Sequence, residues 1–104
     1  MRKKIKTTRN VIVIDGDRKV RRQLMDYLKS NAYRLLYECG KAGRAKVYQA
    51  ESILKAKEKI KITLDFCLVI FSDEFPQEER DELRNELSYH QQAIDFVIVP
   101  RLVL

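Results

Sequence analysis

Tryptophan is absent from this 104-residue chain, histidine occurs once, cysteine and proline twice each, and glycine three times. With so few glycines and prolines, no linker, repeat or low-complexity segment divides the sequence, and a single domain is expected. Cys39 and Cys67 each lie in an apolar or aromatic stretch that reads as strand, without CxxC spacing. They read as buried free thiols. His90 has no carboxylate or cysteine at metal-ligand spacing, so neither a metal site nor a catalytic role is assigned to it. No apolar run approaches the roughly 20 residues of a membrane-spanning helix. No signal-peptide pattern follows the basic start, and a soluble cytoplasmic protein without membrane contact is the expectation.

What is present is a 45% hydrophobic composition, enough for one core, and a net charge of +6 that is unevenly spread. Residues 1–46 hold 14 Lys and Arg against 4 Asp and Glu, whereas residues 47–104 hold 7 against 11. Residues 1–9, with Arg2, Lys3, Lys4, Lys6 and Arg9, read as a basic solvated tail, and residues 10–104 as the domain. A second basic group, Arg18, Lys19, Arg21 and Arg22, follows the first turn. Such clustering suits nucleic acid, an acidic protein surface or anionic lipid.

Val11-Ile-Val-Ile14 is β-branched without polar alternation, the pattern of a parallel strand buried on both faces. Asp15-Gly16-Asp17 breaks it. Within 17–30, Val20, Leu24, Tyr27 and Leu28 make one apolar stripe, which predicts a helix capped by Asp17 or Asp15 and stopped at Ser30-Asn31. Leu35 to Cys39 reads as a second strand, followed by the basic loop Gly40–Lys46 and a possible short strand over Val47–Ala50. A helix is predicted over 51–60, a strand over Phe66–Phe71, a helix over 77–90 opened by Pro76 and its early acids, and a strand over Ile94–Val99. This alternation predicts a three-layer α/β domain with a mostly parallel central sheet of four or five strands.

In such sheets ligands gather beyond the carboxyl ends of the strands. Asp15, Gly16 and Asp17, then Ser72, Asp73 and Glu74, then Pro100 and Arg101 occupy those positions, an acidic cluster with a basic rim. Here the sequence resembles the receiver domains of bacterial response regulators. The resemblance rests on Val13-Ile-Asp15-Gly-Asp17 followed by Val20-Arg-Arg-Gln-Leu-Met-Asp-Tyr-Leu28, on Asp65-Phe-Cys-Leu-Val-Ile-Phe-Ser72 followed by Asp-Glu-Phe-Pro76, and on Asp95-Phe-Val-Ile-Val99. It implies a flavodoxin-like fold. It also implies two adjacent acids after the first strand that hold Mg²⁺, and an aspartate four residues before a proline that accepts a phosphoryl group.

The sequence departs from that pattern. Asp15 matches the first acid, Gly16 stands where its partner would be, and Ser72 stands at the phosphate-accepting position. A serine hydroxyl neither forms an acyl phosphate nor ligates a hard cation as a carboxylate does. Asp73 lies three residues from Pro76 and on the other face of the strand. The stretch between Tyr33 and Phe66 is longer than the family requires, and Leu102-Val-Leu104 stands where a further helix, a lysine-bearing strand and a last helix would follow. A C-terminally truncated sheet exposes an edge, so a homodimer, or a place in a longer polypeptide, is expected.

The expectation is therefore a non-catalytic pseudo-receiver, without cofactor or metal, that binds a protein partner or its own copy independently of aspartyl phosphorylation. Its plainer counterpart is a flavodoxin-like domain whose turn acids only cap helices. The alternative is nucleic-acid binding through Arg18, Lys19, Arg21, Arg22, Lys41, Arg44 and Lys46, with Gly40 and Gly43 allowing close backbone approach. A third reading is a metal-dependent nuclease, because Ile14-Asp-Gly-Asp17 and Phe71-Ser-Asp-Glu-Phe75 look similar to acidic strand-end motifs of PIN and NYN nucleases.

Overall fold

The computed structural model describes residues 7–62, 66–89 and 94–104. Four parallel strands, β1 (Thr8–Ile14), β2 (Arg44–Ala50), β3 (Phe66–Ser72) and β4 (Asp95–Val99), form one sheet in the order β2-β1-β3-β4. Helix α1 (Arg18–Glu38) covers one face, and α2 (Ile53–Ile62) and α3 (Gln77–Tyr89) cover the other. The three-layer α/β expectation holds, with four strands among the described residues. The segment 101–103 adds a short 3-10 turn after β4.

Strand alternation separates two cores. Val11, Val13, Leu68 and Ile70 pack under Leu24, Leu28 and Leu36 of α1. Ile12, Ile14, Val69 and Phe71 pack against Ile53 and Ala56 of α2 and Leu83 and Leu87 of α3. All seven residues of β3 are buried, as a central parallel strand requires.

The region from Ser30 to Lys46 corrects the sequence reading. Ser30 and Asn31 do not stop α1; Asn31 turns its amide back to donate to the Tyr27 carbonyl, 2.9 Å away, and the helix continues. Leu35 to Cys39 is the end of that helix rather than a strand, because Ala32, Leu35 and Leu36 extend the buried stripe of Val20, Leu24 and Leu28. The helix stops at Gly40, whose φ of 73° lies in the left-handed region. There the Gly40 N–H donates to the Tyr37 carbonyl (3.0 Å) and the Lys41 N–H to that of Leu36 (2.8 Å), the paired closure of a Schellman motif. The basic loop is consequently short, and Arg44, Ala45 and Lys46 belong to β2. This longer helix is also why the interval before Phe66 looked over-long.

Gly43 sits where a Cβ atom would meet the Thr7 carbonyl oxygen at 2.5 Å, so the turn into β2 needs glycine. Cys67 is buried and Cys39 half-buried, both free, and burial raises both thiol pKa values. His90 lies outside the described residues. Among the described residues no helix is long and apolar enough to cross a membrane.

Candidate functional site

Strand order reverses between β1 and β3, the switch point at which a parallel sheet opens a crevice at its carboxyl edge. Ile14 pairs with Phe71 in the register of these strands, so Asp15 and Ser72 come next and face each other. The Ser72 hydroxyl donates to Asp15 Oδ2 at 3.0 Å, and the Asp17 N–H donates to Asp15 Oδ1 at 2.9 Å. Ser72 is wholly buried and Asp15 is 9% exposed. A hollow of about 310 Å³ lies above them, lined by Asp15, Gly16, Asp17, Glu51, Glu79 and Arg101 among others.

Each neighbouring group has a local reason for its place. Asp17 caps α1, accepting from the Lys19 N–H at 2.8 Å. Arg21 reaches back to the Asp15 carbonyl (2.7 Å) while its Nε donates to Gln49 (3.0 Å), tying α1 to β1 and β2. The cap and this back-bond offset the cations crowded into the first turns of α1, which otherwise oppose the helix dipole. Asp73 is exposed and turned toward the segment after β4, where its Oδ1 accepts from the Arg101 N–H at 3.1 Å. The Arg101 guanidinium closes the same rim on Glu74 at 2.6 Å.

Asp15, Gly16, Asp17 and Ser72 are thus brought together as expected from the sequence, and Asp73 stands apart from the Asp15–Ser72 pair. Glu51 and Ser52 at the end of β2 were missed. Ser52 accepts from the Lys55 N–H (3.2 Å), a capping signal legible as a serine just before an apolar helical stripe.

The donor set does not fit the Mg²⁺ that the resemblance implies. Gly16 offers no side chain, Ser72 aims its proton into the one carboxylate beside it, and Asp73 is engaged with Arg101. Among the described residues no three histidine, cysteine or acidic side chains assemble as a metal-holding group, including the acids of the nuclease reading. A carboxyl could be placed at Gly16, since a Cβ there meets only the Glu51 carbonyl at 3.7 Å, an ordinary contact. Glycine is therefore not a steric requirement at that position.

The cations of the nucleic-acid reading are dispersed. Arg18, Lys19, Arg22, Arg44 and Lys46 are exposed, Arg21 is spent on Asp15 and Gln49, and Lys41 lies at the opposite, amino edge of the sheet. There its ammonium pairs with Asp95 at 2.7 Å and donates to the Cys67 carbonyl at 3.2 Å.

No family model and no curated sequence matches the chain. Among solved structures it is similar to the response regulator MaeR, in an aspartate-to-alanine mutant bound to sulfate, with a TM-score of 0.62 over 91% of this chain and 69% of that one. Sequence identity is 17%, so the likeness is one of fold. The chain has a receiver-like, flavodoxin-like fold, and its strand order corresponds to the first four positions of that topology.

Proposed function

We propose that this domain is a pseudo-receiver, a receiver-like module that acts by contact with a protein partner or a second copy and needs no aspartyl phosphorylation. The observation that carries this reading is the 3.0 Å hydrogen bond from a fully buried Ser72 hydroxyl to Asp15. A phosphoryl acceptor at that place has to present a nucleophilic oxygen to solvent beside a bound cation. The Ser72 oxygen is wholly buried rather than presented to solvent, and the acid next along the chain, Asp73, holds the Arg101 backbone instead. What remains is a rigid strand-end surface whose turns are pinned by Asp17, Arg21, Ser52 and Arg101.

Amide NMR spectra of the whole chain, titrated with Mg²⁺ and then with Mg²⁺ and beryllofluoride, test this. Resonances of residues 15–17 and 72–74 are expected to stay in place. Saturable shifts confined to those residues would show a working acceptor pocket and refute the proposal.

A further inference from the structure

The outer edge of β2 combines three features that one kind of ligand would satisfy together. The first is backbone. The Arg44 N–H donates to the Thr7 carbonyl and the Ala50 carbonyl accepts from the Asp15 N–H, so the even-numbered residues of β2 bond to β1. In a parallel ladder alternate residues turn their groups the other way, which leaves those of Ala45, Val47 and Gln49 pointing outward. Among the described residues no strand lies beyond β2.

The second feature is a groove of about 780 Å³ alongside that edge, floored by Met25, Leu28 and Ala32 of α1 and by Ala45 and Val47 of β2, with Tyr33 at its side. Tyr33 is 67% exposed and stacks on the equally exposed Tyr37. The third is charge. Arg18, Arg22 and Lys29 line an adjoining hollow of about 410 Å³ on the α1 side, and Lys55 and Lys59 line another of about 200 Å³ at the carboxyl end of β2. Arg44 and Lys46 project from the strand itself, Lys46 lying over the Tyr48 ring. Against these stand Asp26, paired with Lys29 at 3.3 Å, Glu58, paired with Lys55 at 3.9 Å, and Glu51.

We infer that the β2 edge is a docking site for an extended polypeptide segment in which acidic and apolar residues alternate, added to the sheet as a fifth strand. The inference rests on the reading of the domain as one that works by contact, and it names a surface and a partner chemistry for that reading. Strand addition uses all three features: main-chain bonds to Ala45, Val47 and Gln49, apolar side chains in the groove on the α1 face, and carboxylates on the opposite face against Lys46, Lys55 and Lys59. A nucleic acid would use the cations alone. The basic start of this chain, Arg2 to Lys6, has the wrong charge to be the occupant. Arg44 and Lys46 also fit the ordinary role of guarding an edge against aggregation, and the two roles agree, since cations that repel neutral or basic strands select acidic ones.

The test is fluorescence anisotropy of the whole chain with a labelled peptide of about seven residues alternating glutamate and valine. Parallel probes are the lysine–valine counterpart, two versions N-methylated on alternate amides along one or the other edge, and a short single-stranded DNA. Only the glutamate–valine peptide and the version methylated on the edge away from β2 are expected to bind. Methylation of the other edge, or reversal of Lys46 and Lys59 to glutamate, should weaken binding by about tenfold or more. Val47→Pro, which removes an outward N–H that β1 does not use, should act like the blocking methylation. The inference is overturned if no peptide binds, if both methylated versions bind equally, or if the DNA binds more tightly than the peptide. Repeating the titration after treatment with Mg²⁺ and acetyl phosphate separates this claim from the previous one. A chain that becomes phosphorylated yet still holds the peptide loses only the claim that it lacks a phosphoryl acceptor, and an unmodified chain that ignores the peptide loses only the docking edge.

Discussion

At the scale of single residues, the chemistry of the strand-end crevice turns on Asp15 and Ser72. Burying a carboxylate oxygen beside a strand end is tolerable because Ser72 supplies a donor. Removing that hydroxyl leaves Oδ2 without its side-chain partner, and Ser72→Ala is expected to cost about 1–3 kcal/mol in denaturant unfolding. A neutral result would mean that water replaces the serine and that the pair is not a closed unit. Both residues, and their meeting across the crevice, were legible in the sequence from their places just after two apolar runs. Lys41 shows the opposite case. Its charge suggested a ligand-binding loop, and only the tertiary arrangement brings Asp95 within 2.7 Å of it. A sequence registers a charge but not the partner folded against it.

At the scale of elements, the short apolar runs were read correctly wherever burial on both faces left no helical period, as in β1 and β3. The failure lay in α1. Leu35-Leu-Tyr-Glu-Cys39 is a short apolar run of strand length, though its Leu and Glu residues favour helix, and Ser30-Asn31 has the chemistry of a helix stop. The continuing stripe through Ala32, Leu35 and Leu36 outweighed both, since Leu36 is fully buried under the sheet. Gly40, not Asn31, was the true stop signal.

Between α2 and α3, the Lys57 ammonium holds Glu86 at 2.8 Å and Glu82 at 3.0 Å. Hydrogen bonds to Glu86 first and Glu82 second raise its pKa above the ordinary lysine value. A raised lysine pKa contributes stability that is full below the unfolded-state value, about 10.4, and lost as pH climbs through the folded-state value. Lys57→Met is therefore expected to lower stability at neutral pH by up to about 1 kcal/mol, a small effect because Glu82 is well exposed. The gap between wild type and variant in thermal melts should close above that lysine range. A gap that persists there would assign the loss to packing of the lysine stem rather than to its charge.

At the scale of the whole molecule, the sheet has one face under α1 and one under α2 and α3, and charge is divided across it. Cations flank the β2 edge, while Glu78, Glu79, Asp81, Glu82 and Glu86 lie on α3. The β4 side carries exposed Ile98, Leu102 and Val103. Composition had shown the asymmetry of charge along the chain, but not that α1, β2 and α2 would gather it around one strand edge. That required the strand order, which places β2 outside β1.

A pseudo-receiver carries no phosphoryl acceptor. Intact-mass spectrometry of the whole chain after incubation with acetyl phosphate and Mg²⁺, followed by peptide mapping, tests whether this chain is one. An unchanged mass is expected. A covalent phosphoryl group mapped to Asp73 or Asp15 would contradict it.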